Sequence, residues 1–271
     1  MEPMVVAIGR GLLAVVVLQA MLACAATDLS APTTNRTTPP TSAPASPGPS
    51  ASPVAAATSP PTVRLDPEDG SSQAQTGPGA YRYAVQVPQL VGVAPHDQTV
   101  NALIRGTLQR DLDTFLTAAQ DAQSPTDLTC SSRTVRMTVR LAVLRVDCTS
   151  SQTGVARPTT VTHTFNCDLS GARILTLQDL FSEGSAYLDV LSSAARAKLP
   201  PQTAPAADLS IVGGTAPVAN NFRAFLLDQA ALVIVFPDFQ VAGTIAAPQV
   251  AISYDDLQRY FATGIADLLA G

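Results

Sequence analysis

The most constraining feature of the chain is a long segment that cannot fold by itself. Residues 25–79 are rich in Pro, Ser, Thr and Ala and hold almost no large apolar side chains. Such a segment cannot bury enough apolar surface to offset the conformational entropy that ordering would cost. We therefore expect residues 24–79 to be an extended, disordered tether. The remaining residues, 80–271, are then expected to form one domain.

The first residues have the form of a secretory signal. Arg10 precedes the apolar run "GLLAVVVLQAMLACAA", which is shorter than the ~20 residues of a membrane span and fits the apolar region of a signal peptide. The run ends in "AMLAC", the pattern of a bacterial lipobox. We expect residues 1–23 to be a lipoprotein-type signal peptide and Cys24 to carry a lipid that anchors the chain to the cell membrane. The alternative is an ordinary signal peptide, cut after "LACA" or "CAA", that releases a secreted protein.

Charge excludes one class of partner. The formal net charge is -5 and the sequence pI is about 4.9. Domains that bind nucleic acid carry a clustered basic surface, and the sequence has no basic cluster. We expect no nucleic-acid partner.

The first half of the domain alternates strands with one helix. Alternating apolar residues in "YRYAVQVPQL" predict a strand beginning near Tyr81. The segment after it predicts a long helix with Asp97 as its N-cap and an apolar stripe on one face. Two β-rich runs, "TVRMTVRLAVLRVDC" and "TTVTHTFNC", flank the polar turn "TSSQTGVARP" and predict a hairpin.

The second half predicts a further hairpin between two helices. "SAYLDVLSSAARAKL" predicts a helix with Ser185 as its N-cap. "FRAFLLDQAALVIVF" predicts a hairpin that turns at Asp228, followed by a last strand. A closing helix is expected from "SYDDLQRYFATGIADLL", with Ser253 and Asp256 as a capping box. Hairpins with separate helices indicate an α+β fold, in which antiparallel hairpins or a sheet pack with about three helices in a single domain.

The order of these pieces resembles a known family. "YAVQVPQL", the helix after it, the hairpin with "GVARP" at its turn, "FNCDLSGARILTLQDLF", "FRAFLLDQAALVIVF" and "VAISYDDL" follow one another as in the DUF3298/RsiV-like extracytoplasmic domain. That domain is shared by a lysozyme-sensing anti-sigma factor and a secreted mycobacterial immunogenic protein. The resemblance covers residues 80 to about 262 and implies a surface-anchored, non-enzymatic binding module of the cell envelope, an actinobacterial lipoprotein. Its implied ligand is a secreted protein such as lysozyme, or a wall glycan.

Two further functions stay open from the same resemblance. Related domains accompany deacetylase modules, which implies an accessory role in modifying wall glycans. The mycobacterial relative implies a secreted, host-interacting protein.

The chain departs from the family pattern at one turn. Relatives carry Gly-Gly and then His-Pro there, whereas this sequence has Gly154-Val155 and Arg157-Pro158. The turn formed by Gly154, Arg157 and Pro158 is our candidate ligand contact. The change from His to Arg puts any ligand role of the family histidine in doubt.

Catalytic and metal sites are not expected from the residue pattern. His163 shares a strand face with apolar neighbours, and His96 lies in the loop before the first helix. Zinc sites need three or four ligands, usually at short spacing, and the sequence contains no HxxH, HxxxH or CxxC. Asp238, Asp255 and Asp256 could pair for acid–base work, but the last two suit the first turn of a helix. No cofactor is expected.

The cysteines of the domain predict one disulfide. Outside the cytoplasm, Cys130, Cys148 and Cys167 should give one bridge and one leftover thiol. Cys130 and Cys148 are symmetric about residue 139, so a bend in "MTVRLA" would bring them together, although that segment lacks the usual turn residues. We favour this pair. The alternative pair, Cys148 with Cys167, requires a turn centred between residues 157 and 158.

Overall fold

The computed structural model describes residues 59–92, 97–199, 211–241 and 247–270. The expected signal peptide, Cys24, the tether up to residue 58 and His96 lie outside these residues. The described part folds as one α+β domain with nine strands in two sheets, which confirms the predicted fold class. Among the described residues, no helix is long and apolar enough to cross a membrane.

The larger sheet has six strands in the order β1-β2-β3-β4-β5-β6. These strands are Thr62–Ser71, Tyr81–Val91, Thr126–Met137, Leu141–Gln152, Thr159–Asp168 and Arg173–Ile174. All neighbours are antiparallel except β2 and β3, which pair in parallel. Helix α1 (Asp97–Gln120) joins these two strands, because parallel neighbours need a long crossover connection.

The smaller sheet follows with three antiparallel strands in the order β7-β8-β9. These are Phe225–Leu227, Ala231–Val235 and Gln249–Ser253. Helix α2 (Tyr187–Lys198) precedes this sheet, and the short helices α3 (Tyr254–Leu257) and α4 (Ile265–Ala270) come after it. The predicted hairpin with its turn at Asp228 is present, since the Asp228 N–H donates to the Ala231 carbonyl.

Strand β1 lies inside the range predicted as a disordered tether. It pairs with β2 along its whole length and forms one edge of the sheet. Arg105 of α1 contacts Glu68 and also reaches Asp66 at 3.4 Å. Pro67 is tolerated because an edge strand can lack one N–H without losing a ladder bond. The prediction of disorder was wrong here because it rested on the low apolar content of the segment. The backbone pairing and the ion pairs that hold β1 do not depend on apolar content.

Two apolar cores meet at strand β4. The helix core lies between α1 and one face of the large sheet, and α1 contributes Val100, Ile104, Leu108, Leu112, Phe115 and Ala119 to it. The second core packs α2 and the small sheet against the opposite face of β4. Residues 141–146 are therefore all buried. Ala142 and Leu144 face the helix core, whereas Leu141 and Val143 face the second core.

The helix ends differ from the predictions in two places. The N-cap position of α2 is Ala186, without a side-chain cap, so Ser185 does not play the predicted role. The expected closing helix is broken into α3, a 3-10 turn at Gln258–Tyr260, and α4. Ser253 caps α3 by accepting from the Asp255 N–H at 3.3 Å, and not by a reciprocal box with Asp256.

Candidate functional site: a polar groove beside the β4–β5 turn

The disulfide of the domain joins β3 to β4. Cys130 and Cys148 lie directly opposite each other in the antiparallel pair and are bonded. The alternative pair is not formed, because the register places Cys148 opposite Val161 and Cys167 opposite Ala142. The bridge indicates that this domain folds in an oxidising, extracytoplasmic compartment.

Cys167 is the free cysteine of the described residues. Its side chain is fully buried in the helix core. Burial penalises the thiolate and raises the pKa of this thiol to about 12. Cys167 is therefore chemically inert in the folded protein.

The turn between β4 and β5 projects into solvent. Gly154, Arg157 and Pro158 are all exposed. Gly154 has a φ of +85°, a left-handed conformation that glycine adopts without strain. The base of the turn is tied to the loop before β3, because the Thr153 N–H donates to the Pro125 carbonyl and Ser124 Oγ donates to the Thr153 carbonyl. The turn is thus an exposed feature on a fixed base.

A cleft of about 490 Å³ lies at the β1–β2–β3 end of the large sheet. Its polar lining includes Asp69, Ser71, Arg82, Asp127 and Thr129. Arg82 Nε donates to Asp127 Oδ1 at 2.8 Å across the parallel pair of β2 and β3. Arg82 stays largely exposed and Asp127 is partly exposed, so the pair keeps further donors and acceptors for a ligand.

A second cleft continues the first towards the β4–β5 turn. It measures about 440 Å³ and shares Arg82 and Asp127 with the first cleft. Its lining adds Gln75 and Thr126, and it reaches Thr153 at the base of the turn. We call the two clefts together the polar groove. It runs from Asp69 to Thr153, at the base of the β4–β5 turn that the sequence analysis predicted as the ligand contact.

On the other side of the sheet, His163 contacts a carboxylate. His163 Nε2 lies in hydrogen-bond contact with Asp111 Oδ2 of α1, and both side chains are half-buried. The His163 ring also stacks near Phe165, with centroids 6.2 Å apart. Sequence alternation placed His163 on a partly apolar strand face correctly. It could not identify Asp111, which is 52 residues away on another element.

The acidic residues considered for acid–base work have structural roles. Asp238 accepts from the Thr160 N–H at 3.4 Å and from the Ala247 N–H at 3.3 Å. Asp255 and Asp256 lie in the first turn of α3, as expected for acidic residues at a helix N-terminus.

A partly buried ion pair on β4 was missed by the sequence analysis. Arg145 is buried, and its Nε donates to Asp147 at 2.8 Å. Thr162 of β5 donates to the same carboxylate at 2.6 Å. A single Arg within the otherwise apolar run "LAVLRV" was the available signal, because a charge in a doubly buried strand needs a partner.

The chain was compared with known families and proteins. Residues 178–255 match DUF3298, a family described as protein of unknown function. The chain is 36% identical over 101 residues to the peptidoglycan-N-acetylmuramic acid deacetylase PdaC of Bacillus subtilis strain 168. That match covers 36% of this chain and 22% of PdaC, so the chain spans less than a quarter of that relative.

Two solved structures share the fold. One is a DUF3298 family member from Bacteroides fragilis NCTC 9343, with a TM-score of 0.56 and 15% identity, covering 78% of this chain and 99% of the other. The second is a DUF3298 family protein from Pseudomonas aeruginosa PAO1, with a TM-score of 0.56 and 11% identity, covering 76% and 96%. At these identities the likeness concerns the fold alone.

Proposed function

We propose that this chain is a non-enzymatic binding module of the bacterial cell envelope. Its ligand is a linear wall glycan, held in the polar groove. The observation that carries this proposal is the continuity of the groove from Asp69 to Thr153, with the Arg82–Asp127 pair shared by its two halves.

The lining chemistry suits a sugar chain. Sugar hydroxyls both donate and accept hydrogen bonds, and here a guanidinium supplies donors next to carboxylates that supply acceptors. Small-molecule sites are mostly enclosed, whereas this groove is open. It offers charged and hydroxyl groups beside apolar surface from residues such as Tyr83 and Ala84. An open groove also lets a polymer enter and leave at both ends.

The comparisons support an envelope ligand. The relative PdaC is named for an activity on peptidoglycan, and this chain matches about a fifth of it. A match to a minor part of a glycan-modifying enzyme fits a module that holds the glycan beside the catalytic part. The disulfide adds support, because disulfides persist outside the cytoplasm, and wall glycans are extracytoplasmic too.

The proposal includes the predicted anchor. Lipid on Cys24 would attach the chain to the membrane, and the Pro/Ser/Thr/Ala-rich segment after it would carry the domain outward to the wall.

A protein ligand is the second candidate, and it is favoured by the exposed turn. Val155 is 56% exposed beside Arg157. An apolar side chain next to a cation on a projecting turn is suited to a protein surface such as that of a lysozyme.

The experiment is co-sedimentation of the full-length protein with insoluble peptidoglycan. Arg82→Ala should weaken binding about tenfold, a loss of about 1.4 kcal/mol. The matched control is Arg64→Ala, since Arg64 is equally exposed and pairs with Asp66 at the same distance, outside the groove.

Three outcomes would contradict the proposal. Equal binding by wild type and Arg82→Ala would remove the groove as the site. Binding of lysozyme, with no binding of peptidoglycan, would favour the protein ligand. Release of acetate or of sugar fragments by the purified protein, abolished by a single Asp or His substitution, would make the protein an enzyme.

A further inference from the structure

Three metal-ligating side chains converge where α1 crosses strands β4 and β5. Asp111, Cys148 and His163 each present one ligand atom, and these atoms all lie within 4.8 Å of one another. They come from three different elements that are packed together in the helix core. The cluster lies on the opposite side of the sheet from the polar groove, and it plays no part in the function proposed above.

The disulfide masks one member of this cluster. In the oxidised protein Cys148 Sγ is bonded to Cys130 Sγ, so it cannot act as a thiolate ligand. Asp111 and His163 then contact each other, so each polar group has a hydrogen-bond partner. Reduction of the bridge would leave the Cys148 sulfur free beside the His163 nitrogen and the Asp111 carboxylate.

The distances suit a small tetrahedral ion. Zinc binds Cys sulfur at about 2.3 Å and His nitrogen or carboxylate oxygen at about 2.0–2.2 Å, which places tetrahedral ligand atoms roughly 3.3–3.8 Å apart. A spread of at most 4.8 Å therefore needs a contraction of about 1 Å. Soft thiolate with imidazole favours zinc over magnesium or calcium.

The cluster is also reachable. A groove of about 330 Å³ runs between α1 and the β4–β5 hairpin, and both Asp111 and Cys148 line it. Both bonded cysteines are otherwise buried, so this groove is the route by which a reductant and an ion would approach Cys148.

We propose that reduction of the Cys130–Cys148 disulfide converts this cluster into a zinc site. The ligands are Cys148 Sγ, His163 Nε2 and a carboxylate oxygen of Asp111, and a water completes the tetrahedron. A dithiol reductant transfers two electrons and two protons to the bridge and becomes a disulfide itself. Zinc then displaces the Cys148 thiol proton into solvent.

The test measures zinc binding to the full chain carrying Cys24→Ser, which removes the one cysteine outside the domain. The protein is reduced with a phosphine, which adds no thiol. The disulfide takes two electrons from the phosphine, and water supplies the oxygen of the phosphine oxide and the two thiol protons. Titration should show one equivalent of tightly bound zinc in the reduced protein and none in the oxidised protein. Cobalt substituted for zinc should give a thiolate-to-cobalt charge-transfer band.

Variants distinguish zinc binding at this site from zinc binding by any free thiol. His163→Gln and Asp111→Asn should each weaken zinc binding at least about tenfold, whereas Cys167→Ala should leave it unchanged. Cys130→Ser frees Cys148 without any reductant and should bind zinc in a His163-dependent way. Thermal unfolding of each variant before any reductant is added checks that it folds.

Two results would overturn the proposal. One is equal zinc binding by the oxidised and reduced proteins. The other is zinc affinity that is unaltered by His163→Gln in both the reduced protein and the Cys130→Ser protein.

Discussion

The side-chain amide of Asn166 hydrogen-bonds the backbone N–H of Leu227, with Oδ1 accepting at 2.9 Å. The same amide donates to the Phe225 carbonyl at 2.8 Å. Asn166 is only 1% exposed, so it joins β5 of the large sheet to β7 of the small sheet in a dry environment. The Asn166 side chain thus makes the two hydrogen bonds to the β7 backbone that the backbone of a neighbouring strand would otherwise make.

Asn166→Ala should destabilise the domain by about 2–4 kcal/mol. The substitution leaves a buried N–H and a buried carbonyl without partners, at about 1–3 kcal/mol each before local relaxation. Urea denaturation measures the change. Asn220→Ala is the control, because Asn220 is exposed and its loss should change stability by less than about 0.5 kcal/mol. Similar values for the two variants would contradict the bridging role.

Loss of the disulfide should cost about 3 kcal/mol in the Cys130→Ala/Cys148→Ala double variant. The bridged residues are 18 apart in sequence, and the chain-entropy model gives about 3 kcal/mol for loops of this size. The double variant avoids leaving a reactive thiol. Thermal unfolding against the wild type measures the change, and an unchanged midpoint would show that the bridge does not restrict the unfolded chain.

Cys167 should resist alkylation in the native protein. Its thiol is buried and its pKa is raised to about 12, so almost no thiolate exists at neutral pH. Iodoacetamide should label the peptide containing Cys167 only after denaturation, as read by mass spectrometry. Rapid labelling of the native protein at pH 8 would show that this part of the helix core opens.

Asp168 should make the domain sensitive to acid. Burial raises the pKa of this carboxyl, but hydrogen bonds from Ser170 and Gly171, together with Arg173, outweigh burial and lower the pKa below its usual value. The resulting stability is present above the pKa of the unfolded chain, about 3.9. It is lost as the pH falls through the lower folded value.

Asp168→Asn should therefore lower stability at pH 7 by about 1–3 kcal/mol and flatten the loss of stability below about pH 4. Denaturation at a series of pH values measures both effects. The exposed Asp69→Asn is the control for charge alone. An acid transition identical to that of the wild type would assign the pH dependence to other carboxyls.

Cys24 should determine where the protein is found in the cell. Cys24→Ser should move the protein from the membrane fraction to the soluble fraction, because acylation requires the thiol. Globomycin, which blocks cleavage of the acylated precursor, should make the wild type accumulate as the uncleaved form. Immunoblotting of the two fractions is the measurement. A protein that is soluble in both the wild type and the variant would favour the ordinary signal peptide.

The sequence predicted the elements best where periodicity was strong. Both hairpins and the apolar stripe of α1 follow directly from alternation and helical spacing. The bend between β3 and β4 lacked Gly, Pro, Asn and Asp, yet it forms because the Thr138 hydroxyl accepts from the N–H groups of Arg140 and Leu141. A threonine there replaces the usual turn residue.

Tertiary pairing explains the features that local pattern missed. The closing helix breaks because the segment at residues 260–262 pairs with residues 180–182: the Ser182 N–H donates to the Tyr260 carbonyl, and the Ala262 N–H donates to the Leu180 carbonyl. The polar groove was likewise not readable, since its lining comes from positions as distant as Asp69 and Thr153. Only the fold brings such positions together.

The position of β4 has a consequence for how the domain comes apart. Alternate residues of this strand belong to different cores. If one core came apart while β4 stayed packed in the other, the β4 side chains of the lost core would be left without their neighbours. Partial opening that releases one half and spares the other would expose an apolar strand face to water. The domain should therefore melt in one cooperative transition, with amide protons of residues 141–146 exchanging only through global unfolding.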